Sequence, residues 1–242
     1  MFIYSVPHSL FMFSNEPKEV NAIVKNRAKE ILRILRKNFT LPSRPRTSRD
    51  IFQTLIRTVL SQATADKNAH RAFRNLSTRF PITPKALAKA DVKEIKKAIM
   101  TAGLYKSKSE VIKNLSCIIL EDFDGSMDFI YSMSFEEARK ILLHLPGVGP
   151  KTADVVLLFC TDKPTIPIDT HVNRISKRLG LVPPNASYET TRQTLQSLYT
   201  PKDYLPVHLL LISLGRKYCR ARKPLCKLCL INELCPAGQM GN

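Results

Sequence analysis

The chain has 242 residues, of which 44% are hydrophobic, and this is enough apolar material for one large domain or two small ones. Its 38 basic and 20 acidic residues give a formal net charge of +18, which favours a polyanionic partner such as nucleic acid, although a solubilising surface gives the same excess. No apolar run approaches the roughly 20 residues that span a bilayer, which argues against a membrane protein.

The N-terminal segment at residues 1–13 is apolar but lacks a positively charged lead and a small-residue cleavage site. We therefore do not expect a signal peptide, and we expect this segment to pack against the folded body. A soluble, cytoplasmic monomer is the expected state of the protein.

Helical periodicity runs along almost the whole chain. It predicts an amphipathic helix over 17–38, with Pro17 at its first position, and then a basic, proline-containing linker at 41–50. No segment alternates as a strand does, so the predicted fold class is all-α. Further helices are predicted, in chain order, at 50–61, 66–79, 91–102, 107–123, 134–145, 151–160, 169–179, 187–198 and 203–216.

A turn rich in proline and glycine, LPGVGPK at 145–151, separates two of these helices. Glycine lets the backbone approach a ligand closely, and the free amides that begin the second helix favour an anion such as phosphate. A plain helix–helix turn is the alternative interpretation.

Lys151 and Asp169 are the candidate reactive residues. Lys151 lies in the first turn of a predicted helix, where the positive dipole favours a neutral, nucleophilic amine that can form a Schiff base. A solvated lysine that touches phosphate is the alternative. Asp169 precedes another helix, which it can cap, or it can stabilise a cationic intermediate or assist proton transfer. The nearby His171 carries no specific signal by itself.

Four cysteines lie within 17 residues near the C-terminus, with the spacing C-x6-C-x2-C-x5-C. Four thiolates this close together usually bind one metal centre, and nothing in the sequence indicates the oxidising compartment that a disulfide needs. Spacing alone does not distinguish zinc from an iron–sulfur cluster. The four residues are Cys219, Cys226, Cys229 and Cys235.

Taken together, these segments resemble endonuclease III, the 4Fe–4S branch of the helix-hairpin-helix DNA glycosylases. The resemblance is carried by LPGVGPKTADVVL, IPIDTHVNRISKRLGL and the four-cysteine pattern, in the order found in that family. LSQAT at 60–64 and GLYKSK at 103–108 are similar to further family segments, and the resemblance covers about residues 20–238.

The resemblance implies a bilobed all-α fold, with a six-helix lobe at 43–162, a cluster lobe made of 1–42 and 163–242, and DNA bound in the cleft between them. It implies that Lys151 is the nucleophile, that Asp169 is the catalytic aspartate, and that the four cysteines hold a 4Fe–4S cluster. The residues implied to contact DNA are Gln62, which fills the hole left by a flipped nucleotide, Leu104, which wedges into the stack, the phosphate-binding Gly147, Val148 and Gly149, and His171.

The implied activity is that of a bifunctional DNA glycosylase and abasic-site lyase in base excision repair. The partner would be double-stranded DNA with a damaged base, such as an oxidised pyrimidine, or with an abasic site. A monofunctional mismatch glycosylase is one alternative, but such relatives generally lack a lysine at position 151. The other is a non-catalytic DNA-binding protein stabilised by a metal, in which the Lys151 and Asp169 pairing would be coincidental.

The sequence departs from the family pattern in three places. LSQATAD replaces the bacterial form LSAQATD, Pro150 replaces an arginine, and Asp154 stands where asparagine is usual. These differences weaken the expectation about substrate preference more than the expectation about reaction type.

Overall fold

The computed structural model describes residues 19–41, 50–161 and 163–240. The predicted packing of residues 1–13, the placement of Pro17 and most of the predicted linker at 41–50 lie outside these ranges. The described residues form helices and turns and contain no β-strand, which confirms the all-α prediction. The α-helices are α1 (Glu19–Asn38), α2 (Ile51–Ser61), α3 (Asp66–Arg79), α4 (Pro84–Lys89), α5 (Val92–Ala98), α6 (Tyr105–Asp122), α7 (Phe135–His144), α8 (Pro150–Cys160), α9 (Thr170–Arg178), α10 (Tyr188–Leu198), α11 (Tyr204–Lys217) and α12 (Pro236–Gln239).

Side-chain caps fix several helix starts where the sequence predicts them. Asp91 accepts a hydrogen bond from the Lys93 amide at 2.8 Å and begins α5. Ser134 and Glu137 form the predicted capping box of α7, in which each side chain bonds to the other residue's backbone amide. These local bonds satisfy amides that the first helical turn leaves without a partner.

Two predicted boundaries are wrong. The helix predicted over 91–102 ends at Ala98 and continues as a 3₁₀ turn, Met100–Ala102. The helix predicted to begin at Ser107 begins at Tyr105. Gly103, with φ of +63°, stands between these two elements in a conformation that an L-residue rarely adopts.

The helices fall into two compact units. The hairpin unit consists of described residues 50–161 and 163 and contains α2 to α8. The cysteine unit consists of described residues 19–41 and 164–240 and contains α1 and α9 to α12. Each unit has an apolar core of its own. No helix in the described part of the chain is long and apolar enough to cross a bilayer.

In the hairpin unit, α2 packs against α3, α6 and α8, and α6 also packs against α4 and α5. Leu55, Ile56 and Val59 on α2 are completely buried in this core. In the cysteine unit, α9 packs against α10, α11 and α12, and α1 packs against α10 and α11. Burial of these apolar faces is the main stabilising term in each unit.

A buried ion pair joins the two helices that flank the predicted hairpin. Arg139 on α7 donates from Nε to Oδ1 of Asp154 on α8 at 2.7 Å, and from Nη2 to Oδ2 at 3.5 Å. The Asp154 side chain is 0% exposed and that of Arg139 is 14% exposed. A buried carboxylate needs a partner of opposite charge, so the departure from asparagine at position 154 is matched by Arg139.

Replacing Asp154 by alanine should lower the free energy of unfolding by about 3 kcal/mol, because it breaks a buried ion pair by removing one of its two partners. The measurement is urea unfolding followed by circular dichroism. Glu94→Ala is the control, since it removes a more exposed carboxylate that pairs with Arg79 and Lys97 and should cost about 1 kcal/mol or less. Equal losses in the two variants would contradict a special role for the buried pair.

Candidate functional site

The turn between α7 and α8 passes close to α6. Gly147 has φ of +74°, and a Cβ at this position would overlap the Val111 side chain of α6. Both backbone conformation and space therefore require glycine here. Val148 is only 5% exposed, so its side chain packs into the core, and its amide donates to the Leu145 carbonyl at 3.2 Å. By contrast, nothing lies within 4 Å of the Cβ position of Gly149.

Lys151 is the second residue of α8 and is half-buried. Gly149 is the N-cap residue and offers no side-chain cap, while Pro150 fills the first helical position, where a missing N–H costs least. Backbone amides are therefore presented at the start of α8, which is the positive end of the helix dipole. Such a surface can hold an anion beside the Lys151 side chain.

Gln62 is attached to this turn although it lies 85 residues earlier in the chain. Its side-chain Nε2 donates to the Gly147 carbonyl at 3.0 Å and lies 3.4 Å from Thr152 Oγ1 on α8. The structure thus brings together Gln62, the glycine turn and the first turn of α8. Gln62 and the glycine turn, both predicted to contact DNA, therefore form one group within the hairpin unit.

Leu104 presents a large apolar side chain to solvent. It is 65% exposed, and its backbone is left-handed with φ of +49°, at the residue that precedes α6. A bulky residue rarely adopts this conformation. Leu104 is therefore unusual in two respects, since its apolar side chain is exposed and its backbone is left-handed.

Asp169 caps α9, as the sequence predicts. Its Oδ1 accepts a hydrogen bond from the Val172 amide at 2.7 Å. The preceding segment is fixed by His208, which pairs through Nδ1 with the Pro167 carbonyl at 2.9 Å, and by the Tyr188 hydroxyl, which accepts from the Ile168 amide at 3.3 Å. Asp169 also borders a cavity of about 180 Å³, whose lining residues are Ile168, Asp169, Thr170, Asn173, Ala186 and Tyr188.

His171, in the first turn of α9, is held by two neighbours. Its Nδ1 lies 3.0 Å from Arg174 Nη2, and a Cβ on Gly215 of α11 would overlap the imidazole ring. The same guanidinium donates to the Cys219 carbonyl from Nε at 3.2 Å and from Nη2 at 2.8 Å. Arg174 therefore connects the His171 ring to the segment that carries the cysteines.

Arg178, at the last position of α9, organises the same segment. Its Nη1 donates to Cys219 Sγ at 3.3 Å and to the Arg220 carbonyl at 2.7 Å, and its Nη2 donates to the Ala221 carbonyl at 3.0 Å. Neither arginine contact was predicted from the sequence. The only local signal is that Arg174 and Arg178 are four residues apart and so share one helix face.

The four C-terminal cysteines are half-buried free thiols on one loop. Burial raises the pKa of the Cys229 thiol, and the charges of Cys219, Cys235 and Cys226 raise it further. Burial also raises the pKa of Cys235, with added effects of Cys219 and Cys226. Cys229 and Cys235 therefore lie close enough to other cysteines of the loop for their thiolates to be repelled by them.

A positively charged metal centre would offset that repulsion. Thiolates are the ligands that iron–sulfur clusters and zinc prefer, so the donor set fits either. Within the described residues, no three His, Cys, Asp or Glu side chains are placed to hold a single metal ion. The four thiols are therefore grouped by the loop that they share, by their spacing in the sequence and by the electrostatic effects on Cys229 and Cys235.

Comparison with known proteins gives a consistent result. The family profile "HhH-GPD superfamily base excision DNA repair protein" matches residues 56–201. The chain is 38% identical over 189 residues to the protein named Endonuclease III of Sulfolobus acidocaldarius, covering 78% of this chain and 82% of that one. It is 36% identical over 214 residues to Endonuclease III of Escherichia coli K12, covering 87% and 96%.

Solved structures show the same similarity. A trapped endonuclease III–DNA covalent intermediate superposes with a TM-score of 0.76 at 27% identity, covering 91% of this chain and 98% of that one. A thermostable thymine-DNA glycosylase has a TM-score of 0.69 at 22% identity, covering 91% and 99%, and this likeness concerns the fold alone.

Proposed function

The chain belongs to the endonuclease III family of HhH-GPD base excision DNA repair proteins, and we propose that it is a bifunctional DNA glycosylase and abasic-site lyase that excises oxidised pyrimidines. The observation that carries the proposal is the position of Lys151. This residue lies in the first turn of α8, which has no side-chain cap, next to the glycine turn. A DNA phosphate bound at this helix end would place the sugar near the amine.

The proposed reaction uses the Lys151 amine as the nucleophile. The target nucleotide must leave the stack, because the duplex hides its sugar carbon. The Nζ lone pair then bonds to C1′, the glycosidic bond breaks, and the base departs with a proton. Opening of the sugar ring gives a Schiff base, and loss of a proton from C2′ expels the 3′ phosphate by β-elimination. Water releases the sugar product and restores the amine.

Asp169 supplies a carboxylate to the same reaction. Its negative charge can stabilise the positive charge that develops on the sugar, and the carboxylate can take part in proton transfer during the reaction. The cap bond to Val172 holds one of its oxygens in place. A positioned carboxylate is more effective than a free one because the transition state then requires less reorganisation.

The remaining residues bind and distort the DNA. Amides of the glycine turn, at Gly147 and Gly149, contact phosphate, while Val148 contributes by fixing the turn in the core. Gln62 and Leu104 enter the duplex, as hole filler and wedge respectively. His171 contacts the backbone beside Asp169. Further phosphate contacts come from exposed basic residues of the cysteine loop, namely Arg220, Arg222, Lys223 and Lys227.

The proposed cofactor is a 4Fe–4S cluster held by the four loop cysteines. When bound, the cluster cross-links the loop and neutralises part of the thiolate charge. Arg178 donates to one of the thiols, which suits an anionic cluster–thiolate centre. The chemistry on DNA is carried out by Lys151 and Asp169, and the cluster shapes the basic loop.

Lys151→Gln should abolish covalent trapping by borohydride on abasic duplex DNA, together with strand cleavage, because no Schiff base can form. The measurement is the trapped complex on a denaturing gel. Lys163→Gln is a matched control, since it removes a lysine of the same unit that bonds to the Tyr131 carbonyl, and it should trap normally. Trapping by Lys151→Gln at the wild-type rate would place the nucleophile elsewhere.

Asp169→Asn should slow base excision by about 100-fold while DNA binding persists, because it removes the charge of a positioned acid–base group. Asparagine caps a helix as well as aspartate does, so the fold of α9 should be retained. Asp91→Asn makes the same change at another N-cap and should leave excision unaffected. Single-turnover excision on a lesion duplex is the measurement, and equal rates in the two variants would contradict the role of Asp169.

Pure protein prepared without oxygen should be yellow-brown and contain iron and acid-labile sulfide, because thiolate-to-iron charge transfer absorbs visible light. Cys226→Ser should lose colour and iron, whereas Cys117→Ser, which changes a free thiol on α6, should keep both. Metal analysis and the visible spectrum give the answer. A colourless protein with one bound zinc and no iron would show that the cofactor is different.

A further inference from the structure

Lys108 is a buried lysine whose ammonium group lies among backbone carbonyls. It is 4% exposed, and its Nζ donates to the carbonyls of Leu60 at 2.9 Å, Gln62 at 2.6 Å and Ala102 at 2.7 Å. A protonated lysine has three N–H donors, and here each of them has an acceptor. The three hydrogen bonds therefore connect α6 to a segment that lies 46 to 48 residues before Lys108 and to a segment that lies 6 residues before it.

Protonation of Lys108 is required by this geometry. A neutral amine would turn its lone pair toward one of the three carbonyl oxygens, so only the ammonium satisfies all of them. Burial lowers the pKa of Lys108, which shows that the charge is held at a cost. Two of its acceptors lie at the C-terminal end of α2 and one ends the Met100–Ala102 turn, where carbonyl dipoles favour a cation.

The two segments that Lys108 joins are both sharp turns in unusual conformations. Ala63 and Leu104 have φ of +49°, and Gly103 has φ of +63° with ψ of +151°. Such conformations persist only where the surroundings hold them. The turns also contact each other, since a Cβ on Gly103 would lie 3.7 Å from the Ala63 carbonyl oxygen.

Each turn carries one of the residues proposed to enter DNA. Gln62 immediately precedes Ala63, and Leu104 immediately follows Gly103. We infer that Lys108 is a positioning residue, whose ammonium group holds both turns together so that Gln62 and Leu104 enter the duplex as one rigid pair. The inference rests on the proposed function and assigns a residue that does not itself reach the substrate.

The free-energy cost of base extrusion gives a physical reason for this arrangement, because the two side chains must keep their positions while the base is out of the stack. Unstacking a duplex step costs free energy, so the duplex tends to restack and to displace the side chains that have replaced the lost stacking. Side chains on loose turns would move instead of holding the DNA open. Removal of the ammonium group leaves three buried carbonyls without a donor, so the turns would shift to find other partners.

Another lysine of α6 provides a matched control. Lys113 also donates to helix-end carbonyls, those of Ala88 and Ala90 at the end of α4. It therefore has the same chemistry on the same helix, but its acceptors are in a segment that carries no residue proposed to touch DNA. Loss of either lysine removes structural bonds, and only loss of Lys108 should disturb the two DNA-facing turns.

The test compares Lys108→Met with Lys113→Met on two abasic substrates, one duplex and one single-stranded, by the rate of borohydride trapping. Single-stranded DNA needs no wedge or hole filler. Lys108→Met should trap the duplex at least about tenfold more slowly than wild type, since small misplacements have large effects on rate, and should trap the single strand nearly normally. Lys113→Met should keep the wild-type ratio of the two rates. An unchanged ratio in folded Lys108→Met overturns the inference.

Two further variants decide the matter if Lys108→Met does not fold. Gly103→Ala strains the same turn and leaves Lys108 in place, so it should show the same duplex-specific loss, and a wild-type ratio would overturn the inference. Adding Gly103→Ala to Gln62→Ala/Leu104→Ala should give little further loss on the duplex, since the changes act through the same residues. Independent, multiplying losses would contradict it. A wild type that traps neither substrate would instead refute the proposed function.

Discussion

The missing side chain at Gly147 is the constraint on which the rest of the hairpin unit depends. Because Val111 of α6 occupies the space where a Cβ would lie, the turn can pass this close to α6 only with glycine. That path buries Val148 as an anchor and turns the Gly147 carbonyl toward Gln62. It also sets where α8 begins, and hence that Lys151 lies in its first turn.

In the cysteine unit, α9 has a comparable role because it holds Asp169 at one end and the cysteine segment at the other. Asp169 caps the first turn, and Arg178 at the last position bonds to Cys219 Sγ and to the following loop carbonyls. A helix of nine residues is about 13 Å long and stiff. The Asp169 carboxylate and the segment that carries the cysteines are thus both held by the same helix.

How well each feature could be predicted depends on how local its cause is. The caps at Asp91 and Asp169 follow from residues within one turn, and the sequence predicts both correctly. Helix α4 is not among the predicted helices, although Thr83 and Pro84 offer a local cap and first position. The contacts of Lys108 could not be predicted in this way, because its acceptors are set by tertiary packing. Its position on the apolar stripe of α6 marks it as buried but does not say what it binds.

Asp169 shows why a structural and a catalytic interpretation of one residue need not compete. Its Oδ1 accepts from the Val172 amide, whereas its Oδ2 accepts no hydrogen bond within the part of the chain that the structure describes. The cap therefore occupies one oxygen and fixes the plane of the carboxylate, leaving the other oxygen for the action on a substrate that we propose. The hydrogen bond from the Val172 amide stabilises the start of α9, and the same hydrogen bond also fixes the orientation of the carboxylate. The sequence offers these two roles as alternatives, but the cap seen in the folded chain is compatible with the proposed catalytic role.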